Sequence, residues 1–293
     1  TWELYNVTGA LEASGTNNNF WSLVNSTGAD IRVFNQNYNQ LYFWIEYFNA
    51  TEQKATIWVN LTAGSSELNI AYGNSLATKS DYEDPEHVFE FFDDFEGASL
   101  NTSKWTTRGS GSYTISNSVI EIDADANDNY HITSVNTFTR NKVLETKFKF
   151  GYQDSTTYVY KTIGFDSADT AEFGSNHIAI HSDVRENKLK YSVVIDGTRY
   201  AYVLSPEIPA FDTWYIGKVI WADTFTRVVA DSSSYENTTT PSGELHVDIW
   251  VQGNADKGYI DWIRVMKFAD PADFGTPLVK LFQKKFGTKT VYV

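Results

Sequence analysis

The sequence predicts an all-β protein in two parts, a small N-terminal β domain followed by a β-sandwich of two sheets. Three observations carry this. Apolar and polar residues alternate with a period of two almost throughout, and the 3.6-residue stripe of an amphipathic helix is nearly absent. Aromatic residues make up 16% of the 293 residues and sit among Val, Ile and Thr, the composition of pleated, half-buried strands. From residue 141 onward, long alternating segments succeed one another with no helical segment between them, which is the pattern of stacked antiparallel sheets.

In the first part, ADIRVF (29–34), QLYFWIEYF (40–48), KATIWVNL (54–61) and ELNIAYGN (67–74) predict short strands, separated by the turn-rich stretches NQNYN and TAGSS. LATKSDYEDPEH (76–87) is polar, acidic and broken by Pro85, and is expected to be a linker, giving an N-terminal domain over 1–86. The strands of the sandwich, expected over 87–270, run from NKVLETKFKFGY (141–152) through TYVYKTIGFD, NHIAIHS, LKYSVVIDG, TRYAYVL, TWYIGKVIWA, TRVVAD and LHVDIWVQG to YIDWIRVMKF (259–268). Residues 271–293 then form a C-terminal tail.

Composition excludes several classes of function. With no cysteine, neither disulfides nor thiolate metal sites contribute. A formal net charge of −14 opposes binding to nucleic acid. No run approaches the roughly 20 apolar residues of a membrane helix, so no membrane span is expected. The chain begins at Thr1 with no apolar leader, as expected of a secreted protein whose leader has been removed. Asn-x-Ser/Thr sequons at Asn6, Asn25, Asn49, Asn60, Asn101 and Asn237 agree with an extracellular, cell-surface glycoprotein.

The order GADIRVF, LYFWIE, ATIWVNL, LNIAYGN and VFEFFDDFEG, over roughly residues 20–97, resembles the domain of unknown function 2341 of archaeal and bacterial secreted and surface proteins. Its usual opening strand is replaced here by TWELYNVTG. The larger part of the chain beyond it resembles a sandwich of the concanavalin A and laminin-G type: FFDDFEGASLNTSKW is similar to its opening and YIDWIRVMKFADP to its closing strand. The resemblance implies a concanavalin A-like jelly-roll fold, with first and last strands side by side, and a surface location. It implies no activity.

VIEIDADAN (119–127) is the candidate for chemistry. On a strand, Glu121, Asp123 and Asp125 share one face, as the carboxylates of a sandwich-fold glycosidase do. The segment comes only about one strand after FDDF, and Asp125 stands where the glucanase pattern has Glu, one methylene too short. The acids are therefore expected to face water without a hydrolytic role. Asp123, Asp125, Asn127 and Asp128 offer alternating hard oxygen ligands, so calcium is the one cofactor considered, although the loop lacks the glycine and distal glutamate of an EF-hand. His177 and His181 lack a third zinc ligand and are expected at the surface. Among the aromatics, Tyr152, Tyr158, Tyr160, Trp214, Trp221 and Trp250 are candidates for stacking on sugars, while Trp105, Trp214, Trp250 and Trp262 are expected mainly in the core.

With no nucleophile elbow, phosphate loop or cysteine nucleophile, the expected function is non-enzymatic. The tail LVKLFQKKFGTKTVYV has no place in a sandwich already closed. Thr288, Lys289, Thr290, Val291, Tyr292 and Val293 alternate as a strand that a neighbouring copy would accept. The expected protein is a self-assembling surface filament or lattice subunit whose partners are copies of itself. The alternatives are a module that binds surface glycans and, third, a sandwich-fold glycosidase.

Overall fold

A computed structural model describes residues 2–4, 20–61, 67–125, 128–151, 160–168, 174–183, 186–253, 257–268 and 278–283. The chain divides into two compact units, residues 1–90 together with 270–293, and residues 91–269.

The first unit contains β1 (Trp2–Leu4), α1 (Phe20–Leu23), β2 (Arg32–Asn35), β3 (Phe43–Asn49), β4 (Lys54–Val59), β5 (Glu67–Tyr72), the short helix α2 (Pro85–Val88) and, from the C-terminal end of the chain, a strand at Leu278–Gln283. Its strands form two three-stranded sheets, ordered β1-β4-β3 and β2-β5 followed by the C-terminal strand. Alternate residues Val33, Phe43, Ile57, Val59, Leu68 and Ile70 turn inward and are buried, with Phe20 of α1 among them. Asp30, itself buried, accepts hydrogen bonds from the backbone N–H groups of Asn25, Gly73 and Asn74, tying α1 to the end of β5.

The segment expected to link the two parts is instead bound into this unit. Phe43 donates its N–H to Tyr82 O, Asp84 donates to Phe43 O, and Tyr42 stacks on both Tyr82 and His87. Pro85 does not break the chain into a loop here. It occupies the first turn of α2, where no N–H is needed, behind Asp84 as N-cap.

The second unit is the sandwich, built from β6 (Phe91–Asp93), β7 (Trp105–Gly109), β8 (Gly111–Ser116), β9 (Val119–Ala124), β10 (Asn129–Phe138), β11 (Lys142–Phe150), β12 (Tyr160–Asp166), β13 (His177–Asp183), β14 (Glu186–Ile195), β15 (Thr198–Val203), β16 (Tyr215–Trp221), β17 (Thr226–Ala230), β18 (Ser233–Asn237), β19 (Leu245–Gln252) and β20 (Lys257–Lys267). Seven strands are ordered β15-β14-β13-β12-β19-β10-β7; the opposing eight-stranded sheet runs β18-β17-β16-β11-β20-β9-β8, with β6 also on β20. The opening motif therefore pairs with the closing strand, Phe92 opposite Arg264. Trp105 locks the motif by donating Nε1–H to Asp93 Oδ2 at 2.6 Å, while Asp93 Oδ1 accepts from Phe95 N. Between the sheets, Ile132, Ile163, Ile180 and Ile249 pack with Leu144, Phe148, Val219 and Ile263 in one core. A Cβ at Gly217 would lie 2.3 Å from Ile180 Cδ1 and 2.7 Å from Phe148, so a glycine is needed where the sheets approach.

The strand at Leu278–Gln283, here β21, lies parallel to β5 within the first unit. The tail thus contributes to a sheet of its own chain rather than standing apart. The expected assembly residues 288–293 lie outside the described residues.

Candidate functional site

Strand alternation gives the seven-stranded sheet two faces. One supplies isoleucines to the core. The other carries polar side chains in rows that cross the strands. The first row is Arg108, His131, Trp250, Thr162, His181 and Lys190; the second is Thr133, Asp248, Gly164, Ala179, Ser192 and Ala201; the third runs from His246 through Asp166, His177 and Val194 to Arg199. A Cβ on Gly164 would lie 2.0 Å from Ile178 O, so only glycine lets β12 approach β13 this closely. The small residues of the middle row leave space for Arg199 to reach across to His181, Nη2 to Nε2 at 2.7 Å.

Two aspartates on this face are each paired with a histidine. Asp248 Oδ2 lies 2.9 Å from His131 Nδ1, its Oδ1 accepts from Thr133 Oγ1 at 2.5 Å, and Arg108 Nη2 stands 3.7 Å away. Burial pushes the Asp248 carboxyl up, but the His131 bond and charge, with Arg108 and Thr133, outweigh it and hold Asp248 below the usual carboxylate range. Asp166 Oδ2 lies 2.8 Å from His177 Nδ1 and accepts from Gly174 N, while its Oδ1 accepts from Ala168 N. Asp166 and Asp248 are 2% and 3% exposed. They occupy adjacent strands offset by two residues, since Asp248 faces Gly164, so their Cα atoms are about 7–8 Å apart.

Around the pairs, Trp250 stacks on His131 with centroids 5.7 Å apart, and Tyr160 lies against both Trp250 and His181. Burial, then Arg199, His177 and Lys190, push the His181 pKa well below the ordinary histidine value. His181 is neutral, so its Nε2 accepts from the Arg199 guanidinium. Ser192 Oγ is fully buried on this face without a hydrogen-bond partner among the described residues, a position that a ligand hydroxyl or a water can satisfy.

The acids of VIEIDADAN are elsewhere. On β9, Ile120, Ile122 and Ala124 are buried, while Glu121 and Asp123 lie on the outer side of the eight-stranded sheet and pair with Lys257. Asp128 is held below the usual carboxylate range by a hydrogen bond from Ser110 and the N–H of Asn129; Asp125 is exposed and Asn127 lies outside the described residues. Among the described residues, no group of three or more His, Asp or Glu side chains is placed to hold a metal ion.

His177 and His181 correct the expectation of surface histidines: both are buried on β13, which lies inside its sheet between β12 and β14. Trp214, a candidate both for stacking on sugars and for the core, is 38% exposed, with Lys147 and Lys149 each 5.5 Å from its ring; Tyr215, Val219 and Trp221 take the inward positions of β16, which follows it. Trp262 is half-buried under the Arg264 guanidinium, and Trp105, Trp221 and Trp250 are buried. Tyr152 and Tyr158 lie outside the described residues, as does Asn6. At Asn25, Asn49, Asn101 and Asn237 the side-chain Oδ1 accepts from the N–H of the Ser or Thr two residues on, whereas Asn60 donates Nδ2–H to His87 O. No helix among the described residues is long and apolar enough to cross a membrane.

The sandwich has the fold of polysaccharide-cleaving enzymes. It is similar to a Bacillus licheniformis β-glucanase (TM-score 0.51, 12% identity, 60% of this chain and 97% of that one). It is also similar to an endo-β-1,3-glucanase from Pyrococcus furiosus (0.50, 12%, 62% and 95%) and to an endo-acting O-glycanase of human gut microbiota linked to mucin breakdown (0.50, 11%, 62% and 100%). At this identity the likeness shows the fold. Residues 27–108 match the family described as Domain of unknown function (DUF2341). No curated protein matches the sequence.

These findings correct the expectation of a non-enzymatic protein. That expectation rested on the lack of a nucleophile elbow, a phosphate loop and a cysteine nucleophile and on the acids of a single strand, β9, whereas Asp166 and Asp248 come from strands far apart in sequence.

Proposed function

We propose that the protein is an extracellular carbohydrate-active sandwich that cleaves a glycan on the polar face of its seven-stranded sheet. The observation that carries this reading is the placement of Asp166 and Asp248 on adjacent strands, on one face, offset by two residues. Glycosidic cleavage needs one carboxyl to protonate the leaving oxygen and another to activate water or attack the sugar, with carboxyl groups roughly 5–9.5 Å apart. Asp248, kept ionised by His131 and Arg108, suits the second role, and Asp166 is the other carboxyl on this face. His131 and His177 act as positioning residues. The substrates of the proteins with similar folds supply the panel: β-glucan, β-1,3-glucan and mucin O-glycans. Release of reducing ends is expected from at least one, with a loss of about 10²–10⁴-fold in Asp166→Asn and in Asp248→Asn. Inactivity of the native chain on all three, or full activity of both variants, overturns the reading.

A second reading is a subunit of a surface filament or lattice. The last described strand, β21, pairs with β5 of its own chain, and this reading requires a strand in that position to come from a neighbouring copy. Electron microscopy of concentrated native protein tests it: open-ended fibres or sheets support it, and dispersed monomers overturn it.

A further inference from the structure

The outer face of the eight-stranded sheet, on the side of the sandwich away from Asp166 and Asp248, carries a platform of rings and ammonium groups. Register sets it out. Lys147 on β11 stands between Ile216 of β16 and Trp262 of β20, and two residues further on Lys149 stands opposite Tyr259. Trp214, the residue before β16, alternates with Ile216, while Tyr215 and Gly217 turn inward. The two lysines thus run down the middle with rings or apolar side chains on both flanks. Trp214 is 38% exposed and Ile216 46%, large apolar side chains on an uncovered strand face, which is a placement that recognition surfaces use and cores do not.

Charge singles out Lys149. The other described cations of this face each meet an acid: Lys147 pairs with Asp261, Lys257 with Glu121 and Arg227 with Glu236, and Lys218 and Arg264 share Glu145. Lys149 makes no ion pair with a described residue. Its Nζ lies instead 4.3 Å from the Tyr259 ring centroid and 5.5 Å from that of Trp214. The rings hold the ammonium in place without neutralising it. In a chain with 37 acidic and 23 basic residues, a cation that meets rings rather than an acid is complementary to an anionic group from outside.

We propose that this platform binds an acidic sugar unit of an otherwise neutral glycan, with the carboxylate on Lys149 and the apolar face of the sugar ring on Trp214. A small anion needs only the ammonium; the flanking rings add flat apolar surface, which suits the C–H face of a pyranose. The net charge of −14 disfavours a densely charged polymer, so isolated acidic units in a neutral chain are the better complement. The site lies on the sheet opposite the one read as the cleavage face and holds whether or not that face cleaves a glycan.

The probes are a hyaluronan hexasaccharide, in which glucuronate alternates with a neutral sugar, and the neutral laminarihexaose. Isothermal titration calorimetry at low salt is expected to show the native protein binding the hyaluronan fragment about tenfold more tightly than the neutral one. Lys149→Gln is expected to remove that preference, and Trp214→Ala to weaken binding of the hyaluronan fragment by about tenfold. Both side chains lie on the outer face, so the urea midpoints of the variants should match that of the native protein. A native protein that does not bind the hyaluronan fragment overturns the proposal, as does native affinity retained in both variants. Equal binding of the two hexasaccharides, unchanged in Lys149→Gln, also overturns it, because the ammonium then selects nothing.

Discussion

His181 gives the sandwich a pH dependence whose sign and size come from its surroundings. It is 1% exposed, accepts a hydrogen bond from Arg199, and is kept neutral by burial and the neighbouring Arg199, His177 and Lys190. In the unfolded chain it titrates near 6.5. Between that value and its lower folded value the unfolded state binds the extra proton, so stability is complete above about pH 6.5 and falls as pH drops through this window. The slope is about 1.4 kcal/mol per pH unit once the unfolded histidine is protonated. Asp248, whose folded value is depressed, loses its contribution only as pH falls through that value, below the ordinary carboxylate range, and so adds nothing between pH 7.5 and 5.5. His181→Gln keeps an acceptor where Nε2 lies and removes the titration. Urea unfolding of the native protein and of this variant, from pH 7.5 to 5.5, should give a stability difference that shifts by about 1 kcal/mol in favour of the variant at the acid end. Two curves that stay parallel across the range would refute the neutral, buried assignment.

Two further substitutions probe the frame around the site. Gly217→Ala places a methyl against Ile180 and Phe148 and should destabilise the sandwich by about 1–3 kcal/mol in the same urea assay. Glu121→Gln removes a partly exposed partner of Lys257 on the other sheet; stability should change by less than about 1 kcal/mol, and glycan cleavage, measured as reducing ends, should be unchanged.

The sandwich was legible in the sequence because alternation states which side of a strand meets the core. Ile120, Ile122 and Ala124 turn inward as their spacing predicts, and the FDDF and DWIRV segments do meet on neighbouring strands. Local pattern does not state which strands become neighbours. Asp166 and Asp248 belong to strands that read as ordinary Ile and Val alternations, and only the β12–β19 pairing brings them together. A usable signal existed: His131 and Thr133, His177 and His181, and Asp248 and Trp250 all alternate with apolar residues, so several separate strands carry polar groups on the side away from the core. The stretch 76–87 misled for a different reason. Asp-Pro is a loop signal and a helix-start signal alike, and only the backbone bonds of Tyr82 and Asp84 to β3 decide between them.

The turns at the sequons bear on how sugar would be attached to this chain. A glycosidic link forms through the asparagine amide nitrogen. At Asn25, Asn49, Asn101 and Asn237 the local turn engages only the side-chain oxygen, so conjugation there leaves the backbone arrangement intact. At Asn60 the nitrogen itself donates to His87 O, so a saccharide at that position shares its atom with a contact that helps hold the end of α2, and the contact survives only where the sugar replaces the other amide hydrogen. Site-by-site glycopeptide occupancy should therefore separate Asn60 from the other four.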